Sequence, residues 1–327
     1  TLGGLVAAGV VYMAVGGIVY WKGRNIIQTL FPPVVAGPII MVIGLMLVPV
    51  AVSMALGKSN PAHLIPQGIG LMIAVISLAT TTLIFLLARG TLKLIPVICG
   101  LTAGYLVSIP FGIVDFSIVA DADWVAVPNF TAPQFNIDAV AFLIPAAVAP
   151  LIAHFGDVLA IGEAAEKDYL KEPGIHRTLL GNGAANTIAA LVGGPPVRIY
   201  AEITGALTVF KKWQPGVMAW AAVFAMVLSF LGKLSALFQS IPDPVSGGIL
   251  ILFFGVLVVA GINCLLKVQS ELMEFRNLLV VLLILVTGIG GITFSTGALT
   301  LKGVALATLT GVILNLILPD KKATEER

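Results

Sequence analysis

Uninterrupted apolar runs dominate this chain. No Asp, Glu, Lys or Arg occurs at 25–57, 59–88, 94–114 or 277–301. A helix needs about 20 apolar residues to cross the hydrocarbon core of a bilayer. The pattern predicts eleven membrane segments, near 2–21, 33–55, 67–88, 93–113, 139–162, 178–193, 200–211, 216–232, 244–265, 277–292 and 302–318. The segment at 200–211 is short and follows Gly193-Gly194-Pro195-Pro196. Glycine permits the left-handed turn that ends a helix, and proline cannot continue one, so this span reads as a broken half-helix preceded by a short extended stretch.

Composition narrows the class. The chain is 58% hydrophobic and 10% charged, with a mean hydropathy of +1.06, well outside the range of soluble domains. It reads as an all-α polytopic membrane protein with no room for a separate soluble domain. Cys99 and Cys264 both fall in apolar spans and act as small buried hydrophobes. The sequence has no metal-ligand cluster, no phosphate-cradling glycine loop and no nucleophile–base pair, so nothing in it points to an enzyme or to a cofactor.

Basic residues set the orientation. With alternating segments and Lys22 and Arg24 in the cytoplasm, 14 of the 18 Lys and Arg fall on that side. Lys58, Lys233 and Lys302 fall outside, and Arg198 lies within the membrane. This asymmetry follows the positive-inside rule and puts the C-terminus in the cytoplasm of a plasma (inner) membrane protein.

The candidate chemistry sits on the broken span. Glu202 is a carboxylate in the first turn of an otherwise apolar half-helix. An ionisable group at membrane depth is costly and typically faces a cavity, a substrate or a proton path. Irregular backbone at that depth is tolerated only where it is buried in protein or lines such a cavity. The N-terminus of a half-helix also offers bare N–H groups and partial positive charge. Arg198, four residues before Glu202, can pair with it at i,i+4, or can add a positive field favouring an anion. Asn182 and Asn186, at the start of the sixth segment, read as helix-bridging polar groups.

A weak internal repeat links the two halves. Pro33-Val34-Val35-Ala36-Gly37 with Gly44 matches Pro244-Val245-Ser246-Gly247-Gly248 with Gly255. The matches lie seven segments apart, and an odd offset reverses direction, as in inverted-repeat transporters. The repeat places the start of the first half about 70 residues before Thr1, room for about three further helices.

Several stretches, in order, resemble the bacterial uracil/xanthine permeases of the nucleobase–ascorbate transporter family. They are Leu30-Phe31-Pro32-Pro33, His154-Phe155-Gly156-Asp157, Lys171-Glu172-Pro173-Gly174-Ile175-His176-Arg177, Gly193-Gly194-Pro195-Pro196, Tyr200-Ala201-Glu202-Ile203-Thr204-Gly205, and Ile241-Pro242-Asp243-Pro244-Val245-Ser246-Gly247-Gly248. The resemblance covers nearly the whole chain. It implies a 14-helix fold of two inverted repeats of seven, beginning here at the fourth helix. It further implies a core domain (1–22 and 139–232), a gate domain (25–113 and 233–318), an external loop (114–138) and a cytoplasmic tail (319–327). A homodimer, a nucleobase substrate and a proton as coupling ion are part of the same expectation.

The resemblance also assigns residues. Glu202 holds the base, with Tyr200 and the Ala201 amide against it. Phe254 stands where related permeases often carry a tyrosine that could cover the base. Ala153 replaces a glutamate that in related permeases binds the base and is tied to proton coupling. That departure puts coupling and affinity in doubt, with His154 as a partial substitute and Asp157, one turn on from Ala153, as a polar or proton-coupling group. Two other readings stay open at this point: an anion transporter (sulfate-type or urate) of the same fold, and a truncated membrane protein that does not transport.

Overall fold

The computed structural model describes residues 2–23, 32–59, 65–90, 92, 95–128, 130–199, 215–266, 268–296 and 299–318. Helices α1 (Leu2–Lys22), α2 (Pro33–Ala55), α3 (Gln67–Leu87) and α4 (Pro96–Ser108, extended by a 3-10 turn at Ile109–Phe111) open the chain. A short α5 (Ser117–Asp121) precedes α6 (Ile137–Ala165), α7 (Ile175–Leu191) and α8 (Pro215–Leu228). Then come α9 (Gly232–Gln239), α10 (Asp243–Leu266), α11 (Gln269–Leu272), α12 (Phe275–Ile289) and α13 (Val304–Ile317). Among the described residues α1, α2, α3 and α10 are each long and apolar enough to cross a membrane. Every residue of the apolar α8 is exposed, and Trp21 and Phe224 are 87% and 65% exposed. Apolar surface of this extent suits lipid rather than water.

The segments expected from hydropathy reappear with ends displaced by a few residues; the short one at 200–211 lies outside the described residues. Among the described residues, the segment between α12 and α13 departs from an all-helical chain. Between α12 and α13, β1 (Thr293–Thr296) and β2 (Leu299–Lys302) pair antiparallel, with Thr293 opposite Lys302 and Thr296 opposite Leu299. Strands of four residues give too brief an alternation to separate from the ends of two apolar helices.

The chain divides into two compact units. The first comprises 1–46, 130–201 and 256–327. Here α1 lies along α7 with the backbones in near contact. A Cβ on Gly9 would come within 2.9 Å of the Gly183 carbonyl oxygen, and one on Gly183 within 2.8 Å of the Gly9 carbonyl oxygen. Small residues permit such approach, and close packing drives helix association in lipid. Tyr12 and Val19 of α1, Leu151 and Val158 of α6, and Ile175 and Leu179 of α7 form one buried cluster. A second cluster joins Val35, Ile39 and Val42 of α2 to Val280 and Ile284 of α12 and Ala307 of α13.

The second unit comprises 47–129 and 202–255. The Ser77 hydroxyl on α3 lies 3.1 Å from the carbonyl oxygens of both Gly100 on α4 and Val245 on α10. Gly247 and Gly248 explain part of the Pro-rich motif at the start of α10. A Cβ on Gly247 would lie 2.9 Å from the Ala51 carbonyl oxygen, and one on Gly248 2.9 Å from the Ala74 carbonyl carbon. The Asp243 carboxylate accepts a hydrogen bond from the Ser59 hydroxyl.

Candidate functional site

The site is built around the end of α7. Gly193 adopts φ +90°, in the left-handed region. The Gly194 N–H reaches the Ala189 carbonyl at 2.7 Å, and the Gly193 N–H reaches Ala190 at 3.3 Å. These are the two bonds of a Schellman cap, which satisfies the last carbonyls of a helix. A Cβ at position 193 would also collide with Thr131, coming within 2.8 Å of its backbone nitrogen. Pro195 and Pro196 follow, so the helix cannot resume, and residues 194–199 continue without regular structure.

Such a stretch leaves backbone polar groups unpaired unless neighbours supply partners. Asn186 on α7 supplies them for Val197. Its Oδ1 accepts from the Val197 N–H at 2.9 Å, and its Nδ2 donates to the Val197 carbonyl at 2.9 Å. The next residue, Arg198, donates from Nε and Nη2 to Oδ2 of Asp157 on α6, at 3.3 and 3.0 Å. The two side chains are 24% and 13% exposed. Ile199 then packs against the cluster of Tyr12, Leu151 and Leu179.

The polar chain continues inward from Asn186. Its Nδ2 lies 3.2 Å from Oδ1 of Asn182, and Asn182 Nδ2 lies 3.4 Å from Nδ1 of His154. His154 is buried, at 1% exposure, with Nε2 3.0 Å from the Thr178 hydroxyl. That hydroxyl donates its own proton to the Ile175 carbonyl at 2.9 Å. The directions are mutually consistent when Nε2 of a neutral imidazole donates to Thr178 and Nδ1 accepts from Asn182. The Tyr12 ring meets His154 edge-on, with centroids 6.3 Å apart.

The expected site residues distribute as follows. His154, Asp157, Asn182 and Arg198 come together in the first unit, through α6, α7 and the stretch after the cap. Ala153 lies on α6, but its side chain is outside what is described, as are Tyr200, Ala201 and Glu202. Phe254 is half-buried on α10, in the second unit. Arg198, for which the sequence offers Glu202 one turn on, has its guanidinium on Asp157. Sequence spacing gives no hint of this pair, because 41 residues separate the partners. Asn186 was legible as a bridging group, but its partner is a main-chain unit that no motif marks.

Comparison with known proteins adds the family. A family model described as "Permease family" matches residues 1–297. A protein named "Probable uracil permease" from Haemophilus influenzae is 42% identical over 322 residues, covering 98% of this chain and 77% of that protein. The uracil permease of Bacillus caldolyticus is 39% identical, covering 98% of this chain and 75% of its own length. That of Escherichia coli K12 is 36% identical, with 97% and 73% covered. Agreement of this extent, over helices already seen to suit a bilayer, settles the class: this chain belongs to the permease family that its motifs resemble, and is a multi-pass membrane transporter and not an enzyme.

Proposed function

We propose that this chain carries a nucleobase, uracil foremost, across the membrane. The observation that carries the reading is the interrupted helix at the end of α7. Its loose backbone is held by Asn186 and Asp157–Arg198, and the chain runs from there into Tyr200-Ala201-Glu202. A uracil edge presents N–H donors beside C=O acceptors. One carboxylate and one backbone N–H satisfy such an edge, which gives Glu202 and the Ala201 amide their roles, with Tyr200 beside them and Phe254 as the aromatic cover. The relatives named uracil permease, at 36 to 42% identity, favour uracil over xanthine.

The finer parts of this reading are the complete 14-helix inverted repeat, alternating access of core against gate, a homodimer, and proton symport. In proton symport, His154 and Asp157 are the polar groups that remain near the position of Ala153. The anion-transport alternative is weakened because the Arg198 guanidinium lies on a carboxylate, so the pair brings little net charge to the site.

Uptake of radiolabelled uracil, xanthine and sulfate into cells lacking their own uracil transport tests the proposal. Saturable uracil uptake, competed by unlabelled uracil but not by sulfate and reduced by a protonophore, is the expected result. Sulfate uptake indifferent to nucleobases would overturn it. The departure at Ala153 gives a second test. Restoring the carboxylate with Ala153→Glu adds a charge-assisted hydrogen bond of about 1.5–3 kcal/mol, so uracil affinity is expected to rise by one to two decades. A measured loss of affinity would show that this face of α6 does not meet the base.

A further inference from the structure

We infer that Asn186 is a positioning residue for substrate binding: its carboxamide fixes the direction in which the chain leaves α7 and enters the Tyr200-Ala201-Glu202 motif. The inference rests on the functional reading above, and its geometry is independent of it.

Asn186 does what a neighbouring strand does in a sheet. It takes the N–H and returns a donor to the C=O of one residue, Val197, both at 2.9 Å. Two opposed bonds to a single residue's backbone fix its rotation as well as its position; one bond would leave it free to swivel. The carboxamide is itself restrained, since Nδ2 also lies 2.9 Å from the Asn182 carbonyl and 3.2 Å from Asn182 Oδ1. Asn182 in turn touches His154, which is anchored on Thr178. The following two residues are held by different means, Arg198 by charge on Asp157 and Ile199 by packing. Three consecutive residues are thus pinned to α7, α6 and the buried cluster, immediately before the motif that the function depends on. Val197 contributes its backbone to this arrangement, and the residue is 41% exposed. The clamp therefore serves the path of the chain and not the packing of a core side chain. A displacement of about 1 Å in a binding group is enough to weaken its contacts severely.

The test uses the full chain, purified, with two readouts. Amide hydrogen exchange in the peptide covering 194–199 needs no ligand. Asn186→Ala should accelerate exchange there by up to about tenfold, the effect of losing a hydrogen bond, with α1 peptides unchanged. Asn186→Ser, whose hydroxyl serves one of the two backbone groups, should fall between. In uptake assays the same variants should raise the uracil KM about tenfold at unchanged protein level and thermal stability, again with serine intermediate. Unchanged exchange in Asn186→Ala would overturn the clamp. Accelerated exchange with an unchanged KM would overturn its role in positioning the site. If the wild-type chain takes up no uracil, the functional proposal falls, and the exchange result still decides whether Asn186 directs the chain.

Discussion

Asp157→Asn is expected to destabilise the protein by about 2–3 kcal/mol and to remove most of its transport. Removing one partner of a fully buried ion pair costs about 3–5 kcal/mol, because the remaining charge is left without compensation. The partial exposure of Arg198 and Asp157, 24% and 13%, lowers that figure. Arg198→Gln removes the same contact from the other side and should cost a similar amount. The double variant Asp157→Asn/Arg198→Gln removes both charges together, so it should be less damaged than the sum of the singles by about 2 kcal/mol in a mutant cycle. Thermal unfolding in detergent reads the stability and uptake reads the function. Additive effects would mean that the two side chains do not act as a pair. The swap Asp157→Arg/Arg198→Asp should recover part of the loss, because α6 is then again tied to the stretch after α7, although the longer side chain must fit on the helix.

Glu202→Gln should leave stability nearly unchanged and lower uracil affinity by one to two decades. A carboxylate accepts from a base N–H with a charge-assisted bond of about 1.5–3 kcal/mol. Glutamine gives up the charge, and its amide can also present an N–H donor to the N–H donor of the base. The contrast with Asp157 is diagnostic. One substitution acts chiefly on the fold and through it on transport, and the other acts on binding alone.

Much of the fold was legible in the sequence because lipid favours apolar helices, and the runs without Asp, Glu, Lys or Arg mark them. The span at 33–55 was read from the charge-free run at 25–57 and corresponds to Pro33–Ala55. The break after α7 was legible too, because Gly193 at φ +90° and the following prolines are residue-specific stops. The paired strands Thr293–Thr296 and Leu299–Lys302 were hidden because each has only four residues and they sit between two apolar helices. The site was legible in its residue types and less so in its pairings. A local rule finds the Arg198–Glu202 spacing, whereas Arg198–Asp157 depends on how α6 packs beside the end of α7. Asn186 was harder still, since its partner is a stretch of main chain and any residue at 197 except proline would present the same groups.

In the proposed function Glu202 holds the base. Equilibrium dialysis of the purified chain against radiolabelled uracil, wild type beside Glu202→Gln, tests it most directly. The expected result is saturable binding by the wild type, displaced by unlabelled uracil and not by sulfate, and lost in the variant. Equal uracil binding by both proteins would contradict it.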